Sequence, residues 1–388
     1  MTARIVITGD LLRPQDRLFK PSQNGNILWF HRLVRRALAA ASGLPVQALV
    51  WDEAETAPPG PDVVGFDTAG FYAAAGAVPD VSGWVGLFDA MELPRDAAAL
   101  LAAPFAGAAA VVGFELTELQ KRLLTLAGVP WIDVNIHPYR FGPDVLFAIA
   151  TDHPEILARL LPHHAEDHIF EPWADLLAAT AVKMPPLLPV RESCLLVGQT
   201  KVDRALIAGG RLLDLSDFAA PLHAAIGEAG PVLFKPHPYN PDGFGLHQTG
   251  VRLSRIRETR ENAYVLLAQD SIRRVVGVSS SVVAEARFFG KEAVFLGTPP
   301  MRVAPRRADL APGRYASVVD AWLSADFWRD LLAPVLAVTA RDGRRPVLPA
   351  NALRTSLRQF WGWDEIVFQL PWDLAQNRAQ DRAKERAG

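Results

Sequence analysis

The chain has 388 residues, of which 50% are hydrophobic and 21% charged, and its formal net charge is -2. This length favours two globular domains over one. The near-neutral charge, without a basic stripe interleaved with aromatic residues, indicates that the protein does not bind nucleic acid. The single cysteine, Cys194, excludes an internal disulfide and a cysteine-cluster metal site.

The first ten residues are typical of a strand and a turn, so we expect no signal peptide. No apolar run in the sequence is long enough to cross a bilayer. We therefore expect a cytoplasmic protein, with peripheral association at the inner face of the cytoplasmic membrane left open.

The first half of the chain alternates between predicted strands and helices. Short apolar runs predict strands at 4–8, 47–51, 110–114 and 129–134, and apolar residues at helical spacing predict helices at 26–42 and 116–127. Such alternation is typical of a parallel sheet with crossover helices.

A proline-rich segment at 183–192 predicts a linker between domains. Beyond it the alternation restarts, with strands expected at 193–197, 231–235, 274–278 and 292–296 and helices at 217–228, 262–268 and 281–289. The sequence therefore predicts an α/β protein with two Rossmann-like lobes, at 1–182 and 193–345, and a cleft between them. A C-terminal helical extension is expected at 346–388, with Trp361, Trp363 and Trp372 packed against a lobe.

Polar residues follow two of the predicted strands in the second half. Lys235 and His237 follow one strand, whereas Ser279, Ser280 and Ser281 follow another and precede a helix. Ligands bind at the carboxyl ends of strands in open α/β sheets, and a helix start with free hydroxyls favours a phosphate. We therefore predict a site for a phosphate-bearing donor, in which a protonated His237 stabilises the leaving phosphate. The alternatives are a loop histidine bonded to a carbonyl and a simple helix cap.

Three segments in the second half resemble a known family in combination. They are the stretch from Gln199 to Asp203, the Lys235-Pro-His-Pro segment, and the three serines with Glu285. Together they resemble the capsule-polysaccharide synthesis family, which includes the bacterial β-Kdo transferases, and the resemblance extends roughly over 194–298. It implies a GT-B-like fold, an acceptor-side first lobe, and a second lobe that binds a CMP-activated acidic sugar without a metal or cofactor.

The resemblance also implies roles for single residues. Asp203 would be the nucleophile of a retaining transfer, attacking the anomeric carbon to form a covalent adduct, and Gln199 would orient the carboxylate or the donor. In an inverting transfer, Asp203 or Glu115 would instead deprotonate the acceptor hydroxyl. Asp203 is equally compatible with a turn aspartate beside Lys201. The chain departs from the family pattern at Arg204-Ala205, where a small residue followed by serine is expected.

Further candidates are expected around the cleft. Glu285 would hold the ribose or base of the donor, or be a solvated helix residue. In the first lobe, Glu115 would act as an acid/base group or only as a helix-dipole partner. Asp10, His137 and Arg140 are expected on the acceptor-side rim, where Arg140 would bind a carboxylate or form a structural ion pair.

A histidine-rich stretch between the two halves is expected to be a solvated loop. It contains His153, His163, His164 and His168 near Glu166 and Asp167. The spacing is not that of a helical zinc motif, so we predict no metal site there.

These observations favour a glycosyltransferase that moves Kdo or a sialic-acid-like sugar from a CMP donor to a capsule, lipopolysaccharide or lipid-linked glycan. The expected partners are a nucleotide-sugar donor and a glycan acceptor, and no Asp-x-Asp metal motif lies in a suitable loop. Two alternatives stay open: a related transferase that uses another nucleotide sugar or a pyruvyl donor, and a non-catalytic component of polysaccharide export.

Overall fold

The structure of the protein is a computed structural model, and it describes residues 3–13, 23–52, 60, 62–183, 193–227, 230–238, 240, 242–299, 301–349 and 351–357. Most of the predicted linker and the part of the predicted extension that contains Trp361, Trp363 and Trp372 lie outside the described residues.

Within these ranges the chain forms fourteen strands and twelve helices. The strands are β1 (Arg4–Gly9), β2 (Val46–Trp51), β3 (Val63–Phe66), β4 (Ala108–Phe114), β5 (Trp131–Ile136), β6 (Phe147–Ala150), β7 (Ser193–Val197), β8 (Ile207–Ala208), β9 (Arg211–Leu212), β10 (Val232–Lys235), β11 (Ile256–Glu258), β12 (Ile272–Gly277), β13 (Glu292–Phe295) and β14 (Ala316–Val318). The helices are α1 (Gln23–Ser42), α2 (Thr68–Ala75), α3 (Val81–Phe88), α4 (Arg95–Ala102), α5 (Glu118–Leu126), α6 (Pro154–Leu160), α7 (Glu171–Val182), α8 (Ala219–Ile226), α9 (Ala263–Leu267), α10 (Ser281–Ala286), α11 (Ala325–Leu332) and α12 (Ala352–Leu357).

The first lobe is built on a sheet with the strand order β14-β6-β5-β4-β1-β2-β3. The strands β1 to β5 run parallel, whereas β6 pairs antiparallel with both β5 and β14. Side chains alternate between the two faces, so Ile5 and Ile7 enter one core and Val6 enters the other. The helices α1, α6, α11 and α12 cover the first of these faces, and α2 to α5 cover the second. Both faces of the sheet are therefore buried, as continuous apolar strands predict.

The second lobe is built on a parallel sheet with the order β11-β10-β7-β12-β13. Leu195 and Val197 pack against α7, α9 and α10 on one face, while Cys194 and Leu196 pack against α8 on the other. A separate two-stranded hairpin, β8-β9, follows the loop after β7. The two covered sheets confirm the predicted α/β architecture with two Rossmann-like lobes.

The chain crosses between the lobes at points that differ from the predicted division into 1–182 and 193–345. Helix α7 precedes the proline-rich segment but buries Ala174 and Leu177 in the core of the second lobe. Conversely, β14, α11 and α12 follow the second sheet but complete the core of the first lobe. The apolar faces of these elements fit the sheet of the opposite half, and no local sequence signal indicates this exchange.

Each sheet has one point at which the strand order reverses direction. In the first lobe this switch point lies between β1 and β4, and in the second lobe between β7 and β12. The crevice at the carboxyl ends of such a strand pair is the usual ligand site of this architecture. Asp10 and Glu115 follow the first pair of strands, and Gln199 and Ser279 follow the second pair.

Replacing Trp328 by alanine is expected to lower the free energy of unfolding by about 3–5 kcal/mol, because the indole is fully buried in the core of the first lobe. The Trp328→Phe variant should lose clearly less, since it keeps most of the packing and loses only the hydrogen bond from Nε1 to the Trp322 carbonyl at 2.8 Å. Urea unfolding measures both. Losses below about 1 kcal/mol for the alanine variant would contradict the packing of α11 on the first sheet.

Candidate functional site at the facing edges of the two sheets

Glu115 lies at the switch point of the first lobe, directly after β4. Its φ of 62° is in the left-handed region, which residues other than glycine rarely adopt. The turn is tight, and the side chain of Leu116 lies over the end of β4. A Cβ on Gly113 would be only 2.1 Å from the Leu116 Cγ, so this close approach requires glycine at position 113. Backbone strain is therefore located at the predicted acid/base carboxylate.

Four hydrogen bonds hold the backbone of Glu115 and Leu116. Within the first lobe, the Glu115 N–H donates to the Val134 carbonyl at 2.9 Å, and the Leu116 N–H donates to Asp133 Oδ1 at 2.8 Å. Arg204, on the segment after β7, donates to the Glu115 carbonyl at 2.8 Å and to the Leu116 carbonyl at 3.2 Å. This segment packs on both lobes, with Ile207 in the core of the first and Leu206 in the core of the second. Every backbone polar group of the Glu115–Leu116 pair therefore has a partner.

The Arg204 guanidinium interacts electrostatically with three carboxylates of the first lobe. Burial acts to lower the pKa of its guanidinium, but the carboxylates of Glu115, Asp133 and Asp10 outweigh that effect, and the pKa is raised. The guanidinium carbon lies 5.8 Å from the centre of the Phe88 ring. Arg204 is therefore a permanent cation between the lobes, and the sequence alone did not identify it as a site residue.

Asp10 does not lie on an open acceptor-side rim, as the sequence predicted. Its side chain accepts hydrogen bonds from the Leu12 N–H at 2.9 Å and from Trp84 Nε1 at 3.1 Å, and the residue is 2% exposed. Burial raises the pKa of its carboxyl, while the Arg204 charge opposes the shift. Asp10 is therefore a buried, hydrogen-bonded residue at the base of the first-lobe crevice.

A buried polar network beneath Glu115 has no counterpart among the predicted site residues. The Lys121 ammonium lies 2.9 Å from Asp133 Oδ2 and donates to the Tyr315 hydroxyl at 3.0 Å. The same carboxylate oxygen accepts from the Tyr315 hydroxyl at 2.6 Å and from Asn135 Nδ2 at 3.0 Å. The network fixes Asp133, which in turn holds the Leu116 N–H. Asp133, a charged residue within an otherwise apolar predicted strand, was the one signal in the sequence that could have indicated this network.

Gln199 fixes the switch point of the second lobe. Its Nε2 donates to Ser279 Oγ at 2.8 Å, and its Oε1 accepts from the Ser279 N–H at 3.2 Å. Ser279 Oγ also donates to the Ala205 carbonyl at 2.9 Å, and Asn240 Nδ2 donates to the Gln199 carbonyl at 2.9 Å. These bonds tie together the loops after β7, β10 and β12. Ser279 is 3% exposed and serves this framework, which corrects its predicted contact with the donor.

The other donor-side candidates lie on either side of Gln199. Lys235 and His237 follow β10, and Ser280 and Ser281 follow β12, and all four are half-buried. Since β10 and β12 both flank β7, the two groups are about 10 Å apart at the level of the strands. Ser280 makes no capping hydrogen bond through its side chain. Binding of the donor by these four residues stays a prediction.

Asp203 opens the short helical turn Arg204–Leu206. Its Oδ1 accepts from the Ala205 N–H at 3.1 Å, and its Oδ2 lies 3.5 Å from Thr200 Oγ1. The carboxylate is half-buried and close enough to Arg140 to act on the charge of that guanidinium. Asp203 thus caps a turn and also faces the first lobe.

Glu285 lies among residues of the second-lobe core, where the loop after β5 packs, and this burial does not fit its predicted role in binding ribose or base. It is fully buried, and its Oε1 accepts from the Arg140 N–H and from the Tyr264 hydroxyl. Burial raises the pKa of the Glu285 carboxyl to about 7, although Arg140 acts against this shift. The side chain is a bridge from α10 to the loop after β5.

Arg140 lies where candidate carboxylates from both lobes meet. Burial lowers the pKa of its guanidinium, and Glu115 and Asp203, one from each lobe, are among the groups that oppose the shift. Its carbonyl accepts from Arg354 Nη2 at 2.8 Å, so α12 also holds this loop. The two predicted reacting carboxylates therefore both act on the charge of one guanidinium.

His137 is in the protein interior rather than on the predicted rim. It is fully buried, its Nε2 lies 2.9 Å from Ser317 Oγ, and its Nδ1 accepts from the Tyr139 N–H at 3.1 Å. Burial lowers the pKa of the imidazole well below its usual range. His137 is a neutral structural histidine that joins the loop after β5 to β14.

The histidine-rich stretch packs against later parts of the chain instead of being a solvated loop throughout. His163 Nε2 lies 3.3 Å from Asp330 Oδ2, and His164 Nδ1 accepts from the Ser317 N–H at 3.0 Å. In the portion of the chain that the structure describes, no three His, Cys, Asp or Glu side chains come together as a metal-ion site.

A surface pocket lies outside the cleft, at the outer side of β10. Its lining includes Leu246, Ile256 and the polar residues Asp242, His247 and Glu258. Two carboxylates make this pocket unfavourable for a phosphate. The donor-side candidates at the switch point, which include Lys235, fit an anion better.

None of the helices in the described ranges has the length and apolar character needed to cross a membrane.

Comparison with known proteins gives only remote likenesses. No family model matches the sequence, and no curated protein matches it. Among solved structures, the chain is similar to a beta Kdo 2,7 transferase, KpsC of Thermosulfurimonas dismutans, with 13% identity, a TM-score of 0.39, and coverage of 86% of this chain and 90% of that chain. It is also similar to the beta Kdo 2,4 transferase KpsC of the same organism, with 19% identity, a TM-score of 0.31, and coverage of 60% and 80%. Values this low carry no argument about function.

Replacing Glu115 by glycine is expected to keep or raise the melting temperature, whereas Glu115→Ala should be less stable than Glu115→Gly. Both variants remove the carboxylate, but only glycine adopts a φ of 62° without the cost of about 1–2 kcal/mol that an L side chain carries there. Thermal unfolding of the two variants side by side measures the difference. An alanine variant as stable as the glycine variant would show that the backbone is not strained.

The Glu285→Gln variant should remove a pH dependence of stability. Between the ordinary glutamate pKa of 4.5 and about 7, the folded state binds more protons at Glu285 than the unfolded state does. The free energy of unfolding therefore falls as the pH rises through this window, by on the order of 3 kcal/mol from this group. Chemical unfolding at a series of pH values should show this fall in the wild type and not in the variant. Glu292→Gln, at an exposed position on β13, is the matched control, and identical pH profiles for Glu285→Gln and the wild type would contradict the assignment.

Proposed function

We propose that the protein is a glycosyltransferase that moves an acidic sugar, Kdo or a sialic-acid-like sugar, from a CMP-activated donor to a hydroxyl of a bacterial surface polysaccharide or lipid-linked glycan. The observation that carries the proposal is that Glu115 follows β4 and Asp203 lies in the loop after β7, at the switch points of the two sheets, and that both carboxylates act on the charge of Arg140. The motif resemblance in the second lobe supports the choice of donor.

The donor phosphate fits the second lobe on chemical grounds. Lys235 supplies a positive charge, and His237 and Ser280 supply hydrogen-bond donors on the two sides of Gln199. When the bond between the anomeric carbon and the phosphate oxygen breaks, the electron pair leaves with CMP. These groups would stabilise the negative charge that develops there.

The two carboxylates have complementary roles in the proposed transfer. In the retaining route, the Asp203 carboxylate attacks the anomeric carbon as CMP leaves, and a covalent sugar ester forms. Glu115 then takes the proton from the acceptor hydroxyl, whose oxygen attacks the same carbon and releases Asp203. Both roles use a carboxylate as an electron-pair donor, and the Arg140 guanidinium interacts electrostatically with both of these side chains.

Mass spectrometry of the protein incubated with CMP-Kdo and with a CMP-sialic acid tests the proposal. We expect a sugar adduct on the peptide that contains Asp203, and no adduct in Asp203→Asn, which retains an oxygen to accept from the Ala205 N–H. The variant should lose about two to four decades of transfer rate. Asp175→Asn, an exposed position on α7, is the matched control and should behave as the wild type.

The other outcomes separate the competing functions. Turnover without an adduct would support an inverting route. A rise in melting temperature with another nucleotide sugar, and none with CMP or CMP sugars, would contradict the proposed donor. Full function of Asp203→Asn in cells would contradict a transferase and favour a non-catalytic role.

A further inference from the structure

We propose that Arg204 is a positioning residue that fixes the orientation of Glu115 from the segment after β7, which packs on both lobes through Ile207 and Leu206. The inference deepens the proposed function, since it matters for catalysis only if Glu115 acts on the acceptor. Arg204 would not touch the substrate in this role. It would act through the backbone of Glu115 and Leu116.

The hydrogen bonds of the strained pair come from two sources, the first-lobe sheet and the segment after β7. Both N–H groups are held inside the first lobe, by the Val134 carbonyl and by Asp133. Both carbonyls are held by Arg204. A non-glycine residue persists in the left-handed region only when the surroundings over-determine it. Without the Arg204 guanidinium, the pair loses two of its four bonds, and the restraint on its φ weakens.

A change in the φ of Glu115 redirects its side chain. The direction of the Cα–Cβ bond follows the backbone dihedrals, so relaxation from the left-handed region would turn the carboxylate away from its present position. In the present conformation that carboxylate acts on the charges of both Arg204 and Arg140. The two hydrogen bonds from Arg204 therefore hold the carboxylate where it interacts with two cations.

The geometry requires arginine specifically. Two nitrogens of one planar guanidinium reach two consecutive carbonyls, at 2.8 and 3.2 Å. A lysine ammonium is a single point of charge and cannot reproduce this fork. The carboxylates of Asp10, Asp133 and Glu115 keep the guanidinium in the first-lobe crevice.

The test compares Arg204→Met and Arg204→Lys with Arg211→Met, an exposed arginine on the nearby hairpin. Amide hydrogen exchange at Glu115 and Leu116, measured without substrate, should be at least about tenfold faster in Arg204→Met and intermediate in Arg204→Lys. Transfer from CMP-Kdo should lose about 100-fold in kcat in Arg204→Met, with the KM for the donor within about twofold. Arg211→Met should match the wild type in all three measurements.

Unchanged exchange at these two amides, or a wild-type kcat in Arg204→Met, would overturn the inference. A KM that rises while kcat is unchanged would also overturn it, because it would place Arg204 in donor binding. If Arg204→Met does not fold, the decision rests on Arg204→Lys by the same two readouts. Absence of turnover in the wild type would contradict the proposed function alone, since the exchange comparison requires no substrate.

Discussion

The arrangement of the cleft depends on one constraint, which is that the carboxyl edges of the two sheets face each other. Backbone carbonyls at a sheet edge need partners, and water or a side chain must supply them. Here Arg204 supplies them for Glu115 and Leu116, and Glu285 accepts from the Arg140 N–H. Charged side chains therefore complete the backbone of the loops at these edges, and the segments that carry Arg140 and Arg204 pack against the cores of both lobes.

The exchange of helices gives this contact its rigidity. Helix α7 fills the core of the second lobe, and α11 and α12 fill the core of the first, so that each core contains a segment from the other half of the sequence. Separation of the lobes therefore cannot be a free swing about the proline-rich segment, because α7 and β14 remain anchored on either side. Small rotations that change the side-chain contacts at the edges are compatible with both anchors.

The sequence predicted the parts of the fold that have local signals. Buried parallel strands are continuous apolar runs, so β1, β4, β7 and β12 were found close to their observed bounds. The rule that ligands bind at strand ends also predicted the neighbourhood of Gln199, Asp203 and His237. In contrast, β6 and β14 are short, and their antiparallel pairing joins residues far apart in the chain. The roles of Arg204, Asp133 and Tyr315 arise only from contacts between distant segments, and the same holds for the burial of His137 and Glu285.

Two unfavourable local features coincide at the contact between the lobes. Glu115 has a left-handed backbone that glycine would adopt more easily, and Glu285 is a carboxyl buried on a helix that could carry an apolar residue there. Neither is needed for packing either sheet, because the cores are complete without them. Costs of this kind persist at sites where geometry matters more than stability. Both carboxylates, together with Asp203, act on the charge of Arg140, which is an argument independent of motif resemblance that this edge is the working part of the molecule.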